Sequence, residues 1–214
     1  MIDPSACRPS RSKPARLRAD PPSLAWVRPL ALVILLALLG GCDGDSDCAD
    51  GELCACANTT DCYLECRDSG CNFELHDMVH AGGVCEDGCS QTCFSVTDCS
   101  LLCGDDCLSL THDTTSSGTL CGHRCDHECH HVDRCGVEAG AEASIYCHDS
   151  TTCEIELLGP GGRVECRTVN TCRVRCSGTC EVIYSNIPGT PNLTCPPDAP
   201  RTECSNDRIV CGDC

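Results

Sequence analysis

Cysteine recurs along this chain with a period of about 18 residues, and that period restricts the fold more than any other feature. The clearest unit runs from Cys166 to Cys180, CRTVNTCRVRCSGTC, a C-x5-C-x3-C-x3-C module. With its first cysteine as phase zero, the same phase falls at Cys56, Leu75, Cys93, Thr111, Cys129, Cys147 and Cys166. Six residues on lie Cys62, Ala81, Cys99, Ser117, Cys135, Cys153 and Cys172; ten on lie Cys66, Cys85, Cys103, Cys121, Ala139, Leu157 and Cys176. Fourteen on lie Cys71 (one residue late), Cys89, Cys107, Cys125, Ala143, Gly161 and Cys180. Self-similarity at a fixed period of this size marks a repeat architecture.

The gaps in the pattern carry the pairing. Phases zero and six lose cysteine together, at Leu75/Ala81 and Thr111/Ser117, and phases ten and fourteen lose it together, at Ala139/Ala143 and Leu157/Gly161. A leftover thiol is a liability in an oxidising compartment, so bonded partners should disappear as pairs. The expected bridges therefore run within each repeat, zero to six and ten to fourteen. Geometry leaves a rival open: residues stacked ~4.8 Å apart also suit a bridge between coils, such as Cys129 to Cys147 or Cys103 to Cys121.

Between phases six and ten the sequence reads C-x-h-x-C, with Leu64, Leu101, Val137, Ile155 and Val174 at the centre. Phe73, Ile145 and Val182 hold the equivalent place before the next phase zero. Alternation over five residues is a strand signature, and three-residue links such as Gly104-Asp105-Asp106 are turn material. The fold class is all-β, small and disulfide-rich: a β-solenoid-like stack of about seven 18-residue coils with two parallel sheets face to face. At ~4.8 Å per coil such a stack is roughly 34 Å long.

Residues 1–41 stand outside this pattern. Leu30 to Leu39 form an apolar run too short to span a bilayer, with Arg28 before it and five more basic residues upstream. This reads as a signal peptide with its helix. The run ends Leu39-Gly40-Gly41-Cys42, which resembles the lipobox of bacterial lipoproteins. The resemblance implies removal of residues 1–41, acylation of Cys42 and stable membrane anchoring, since several acyl chains hold where one is marginal. A non-lipidated signal peptide cleaved nearby is the alternative, and the long basic segment also fits initiation near Val27. The cysteine-rich body behind such a lipobox resembles that of uncharacterised myxobacterial-type cysteine-rich lipoproteins. The chain then divides into the signal peptide (1–41), a lipidated cysteine with an acidic tether (42–55), the repeats (56–184) and a Pro/Cys-rich C-terminal cap (185–214). In the cap, Pro188, Pro191, Pro196, Pro197 and Pro200 argue against regular strands.

Without residues 1–41 the chain has nine basic against thirty acidic side chains, a net charge of −21, and no lysine. Such a surface repels phosphate, so nucleic acid is excluded as a partner, and cations or a basic envelope or surface protein are favoured. Removing Cys7 with the leader and Cys42 with its lipid leaves 26 of the 28 cysteines, enough for thirteen bridges. Only five aromatic residues remain, so short-loop disulfides worth about 2 kcal/mol each must stand in for an ordinary core.

Asp43, Asp45 and Asp47 alternate like the start of a calcium loop, but Cys48 and Cys54 occupy its diagnostic glycine and glutamate positions, so a small bridge Cys48–Cys54 is expected instead. Cys211-x-x-Cys214 has redox-like spacing but no βαβ context, and reads as structural. The sequence holds no nucleophile elbow, phosphate loop or metalloprotease motif, so the chain reads as not an enzyme. The disulfide-filled coil is similar in architecture to insect antifreeze proteins, but it lacks their threonine ladder.

One column remains chemically suggestive. The residue after phase zero is His76, His112, His130 and His148 in four coils, followed by Asp77, Asp113, His131 and Asp149. A solenoid stacks His112, His130 and His148, and with Asp113 and Asp149 they form a candidate site for zinc or another divalent transition metal. The first functional expectation is a non-enzymatic lipoprotein of the bacterial cell envelope, periplasmic or surface-exposed, acting as a rigid interaction or structural scaffold. The second is a metal-binding or metal-buffering lipoprotein.

Overall fold

The computed structural model describes residues 46–48, 51 and 53–214. The segment expected to be a signal peptide with its helix, and Cys42 with its expected acylation, lie outside the described residues. Every regular element among those described is a strand. In chain order they are β1 (Ser46–Cys48), β2 (Leu53–Ala57), β3 (Asp61–Cys66), β4 (Asn72–Cys85), β5 (Ser90–Cys103) and β6 (Leu108–His112). There follow β7 (Ser116–Cys121), β8 (Asp126–His130), β9 (Arg134–Ala139), β10 (Ser144–His148), β11 (Thr152–Leu157) and β12 (Gly162–Arg167). The last five are β13 (Thr171–Cys176), β14 (Cys180–Ser185), β15 (Asn192–Thr194), β16 (Arg201–Ser205) and β17 (Arg208–Cys211).

These strands wind a β-solenoid of about eight turns. One face stacks β2, the first half of β4, the first half of β5, β6, β8, β10, β12 and β14, all parallel. The other stacks β1, β3, the second halves of β4 and β5, β7, β9, β11, β13 and β15. The stack is longer than the seven coils expected. It begins inside the segment read as a tether, where Cys48 pairs in register with Cys66, and it continues past Ser185, where Leu193 sits over Val174. β4 and β5 run unbroken round the corner after phase zero, where the other coils have two separate strands.

The cysteine phases are the register. Cys93 opposes Thr111, Thr111 opposes Cys129, Cys129 opposes Cys147 and Cys147 opposes Cys166. One assignment shifts: Cys180 stacks on Gly162, not on Gly161. The two longer repeats place their additional residue in the tight turn before phase fourteen. Gly70 and Gly161 sit there at φ 79°, a left-handed conformation that glycine adopts without a Cβ penalty.

Thirteen disulfides hold the described residues, and no cysteine among them is free. Within the repeats they are Cys56–Cys62, Cys66–Cys71, Cys85–Cys89, Cys93–Cys99, Cys103–Cys107, Cys121–Cys125, Cys129–Cys135, Cys147–Cys153, Cys166–Cys172 and Cys176–Cys180. Cys48–Cys54 closes the first turn. Every one stays within its coil and ties one face to the other across a corner, so the between-coil rival is not adopted.

Where cysteine is absent, other side chains fill the gap. Thr111 Oγ1 lies 3.4 Å from Ser117 Oγ and 3.2 Å from Cys129 Sγ, a hydroxyl pair in place of a bridge. Leu157 fills the space over Gly162, where a Cβ would come within 2.7 Å of the leucine side chain. Each strand alternates as its sequence dictates: in β11 Cys153, Ile155 and Leu157 point in, and Glu154 points out. The interior is not apolar throughout. One cluster of buried apolar residues runs from Cys48 to Cys107 and a second from Cys121 to Cys211. Buried Gln91, Ser109, Thr111, Ser117, Thr119 and His127 lie at their junction.

At the corner after phase zero, eight stacked residues hold left-handed backbone: Asn58, Asp77, Ser95, Asp113, His131, Asp149, Thr168 and Asn186, with φ from 52° to 57°. Asn, Asp and His tolerate that conformation best among non-glycine residues, which gives the position after each column histidine a backbone reason for its identity.

The proline-rich tail corrects the expectation that it lacks strands. β15 fits between Pro191 and Pro196, and β16 and β17 form an antiparallel pair, with β17 also antiparallel to β14 over the open end. Proline is harmless there because it falls outside the hydrogen-bonded stretches. Cys211 and Cys214 do not bond to each other. Cys211 pairs with Cys195 and Cys214 with Cys204, and Gly212, between Cys211 and Cys214, holds a φ of 110°. The resulting cap covers strand edges that would otherwise invite further pairing.

Candidate functional site

The histidine column lies at the end of the first face, one residue before the left-handed corner. Stacking puts Phe94, His112, His130 and His148 in consecutive coils. Ring centroids are 5.4 Å apart for Phe94–His112, 4.6 Å for His112–His130 and 5.2 Å for His130–His148. His76 is cut off from the run by Phe94 and hydrogen-bonds its neighbour Asp77 at 3.0 Å.

The structure brings His131, which follows a column histidine in sequence, into ring contact with the column. The left-handed turn at His131 lays its ring against His130, centroids 4.0 Å apart and nearly parallel, and edge-on to His112 at 5.8 Å. His112, His130 and His131 each offer a ring nitrogen, and the three nitrogens lie within 4.8 Å of one another. Asp113 reaches both ends of the group, with Oδ2 2.9 Å from His112 Nδ1 and Oδ1 3.4 Å from His131 Nδ1. The contact to His112 is an ion-pair contact and not a hydrogen bond, and His112 Nδ1 is itself buried. Asp149 lies 3.5 Å from His130 Nε2, and His148 faces Glu128 at 3.4 Å. Burial, and then the neighbouring His131, His112 and His148, push the His130 pKa below its ordinary value against the pull of Asp149.

The other histidines sit elsewhere. His127 is fully buried, its Nε2 3.1 Å from Cys129 Sγ, and desolvation lowers its pKa to about 4. His123 is at the opposite corner, where its Nδ1 accepts the Ala141 N–H at 3.1 Å.

A second feature lies on the other face. A shallow groove of about 810 Å³ runs along the outward side of β5, β7, β9, β11 and β13. Its floor is Ser100, Gly118 and Gly136, and Leu102 and Leu120 border it, each about two-fifths exposed. One end is charged: Arg173 pairs with Glu154 at 2.5 Å and Arg175 with Glu156 at 3.4 Å. The outward residues of the isolated strands were readable in the sequence, but the groove was not, because it depends on small residues stacking in successive coils. No protein-family model matches this chain, and neither a curated protein nor a solved structure matches it.

Proposed function

We propose that the chain is a non-enzymatic, envelope-anchored scaffold that presents its groove face to a partner protein. The observation that carries this reading is the solenoid itself, bridged within its coils by disulfides and capped at its C-terminal end. Disulfides at this density place the body in an oxidising, extracytoplasmic compartment. Such a body moves little on binding, so it holds a surface in fixed geometry at small entropic cost. The acidic surface favours a basic partner, and the lipobox-like Leu39-Gly40-Gly41-Cys42 favours a membrane anchor.

Photo-crosslinkers at Leu102 and Leu120, compared with Leu158 away from the groove, test the scaffold in cells of the native host. The expected result is one discrete envelope protein captured from the groove positions alone. No product from either groove position, or equal capture from Leu158, contradicts it. Cys42→Ala tests the anchor: the precursor should remain unprocessed and leave no acylated product. Cleavage with detergent partitioning retained would reject the lipobox reading.

A further inference from the structure

We propose that His112, His130 and His131, with Asp113, form a binding site for one divalent transition-metal ion of the zinc class. The inference is independent of the scaffold reading. It differs from a stacked column of equivalent histidines, because the third imidazole comes from the corner and not from the next coil.

The donor atoms are nearly placed. Nitrogen ligands 2.0–2.1 Å from a tetrahedral ion are separated from one another by about 3.3 Å. The three ring nitrogens already lie within 4.8 Å of each other, so small side-chain rotations close the remaining distance. The Asp113 oxygens, at 2.9 Å and 3.4 Å from His112 Nδ1 and His131 Nδ1, already stand at the spacing of two ligands on a common ion. Three imidazoles and one carboxylate suit zinc, copper or nickel better than calcium or magnesium, which take oxygen ligands. Thiolate ligation does not compete, because every described cysteine is bridged.

The fold alone accounts for part of the cluster. Left-handed backbone at the corner explains why Asp or His stands at 113 and 131. It does not explain why two further imidazoles and a carboxylate close round His112 Nδ1, which has Asp113 Oδ2 at 2.9 Å but makes no hydrogen bond. A cation between that nitrogen and the carboxylate would take up the lone pairs of both.

The test is a calorimetric titration of the disulfide-intact, EDTA-stripped protein with zinc near neutral pH, with cobalt as a spectroscopic substitute. One equivalent should bind at micromolar strength or tighter, and cobalt should show the visible bands of a tetrahedral site. His112→Ala, His130→Ala and His131→Asn should each weaken zinc by at least about tenfold, asparagine being chosen because it tolerates the corner backbone. His148→Ala and His76→Ala should leave the affinity unchanged. Far-ultraviolet circular dichroism and a thiol count must show that each variant keeps its strands and bridges. Failure of the unaltered protein to bind zinc would overturn the site. So would equal affinity in the triple variant of His112, His130 and His131, or a loss in His148→Ala as large as that in His131→Asn.

Discussion

His127 stacks between buried Ser109 and Ile145, in a position that is apolar further along the ladder at Ile145 and Val164. Complete burial leaves it neutral in the folded chain, with a pKa of about 4 against 6.5 when exposed. The unfolded chain therefore binds this proton first as pH falls. Stability from His127 is intact above pH 6.5 and declines from there to about pH 4, a loss of roughly 3 kcal/mol at 1.36 kcal/mol per unit. In His127→Ile that part of the acid response disappears, while the part due to surface carboxylates stays. Guanidinium midpoints at neutral and mildly acidic pH, compared between the two proteins, check it.

Two glycines give the opposite residue-level contrast. Gly162→Ala forces a Cβ onto Leu157 and should cost about 1–3 kcal/mol. Gly118→Ala meets nothing within 4 Å and should be neutral or stabilising by up to about 1 kcal/mol. Thermal melts of the two variants separate these outcomes. The sequence shows a missing cysteine at this corner but not which glycine replaces it. Gly161 and Gly162 are adjacent and identical, and only the φ of 79° at Gly161 assigns the turn to one and the stacked position to the other. His131 is legible in the sequence as a residue that follows a column histidine, but its contact with the column is not. Its spacing makes it a neighbour of His130 in sequence, and the left-handed turn makes it a neighbour in ring contact.

At the scale of one coil, the unit is a pair of strands joined across a corner by a bridge or by its substitute. The coil of β6 and β7 is the test case, because Thr111 and Ser117 stand where its neighbours have cysteine. The registers of Thr111 with Cys93 and Cys129, and of Ser117 with Cys99 and Cys135, place the pair in the geometry of the flanking bridges. Thr111→Cys/Ser117→Cys should therefore form an additional bridge. Closing a loop of this length stabilises by about 2 kcal/mol, and the buried Thr111 and Ser117 hydroxyls leave the core at the same time. A rise in melting temperature with no new free thiol is the expected result. The repeating coil was readable because an in-register parallel stack places like residues over like. The tail was not, because its antiparallel pairing with β14 brings Ile209 over Val182 without any periodic counterpart.

For the solenoid as a whole, covalent closure substitutes for a large core. The buried side chains are mostly cysteine, valine, leucine and alanine, and the two apolar clusters are divided by a polar layer. Full reduction should therefore melt the stack cooperatively from one apolar cluster to the other, with loss of the strand signal in circular dichroism. Persistence of that signal would show that the ladder hydrogen bonds suffice without the bridges. The most direct test of the account is the bridge map, obtained by cleavage and mass spectrometry at acid pH, where thiol–disulfide exchange is suppressed. The expected pairs are Cys129 with Cys135, Cys103 with Cys107 and Cys147 with Cys153. Cys129 bonded to Cys147, or Cys103 to Cys121, would contradict it.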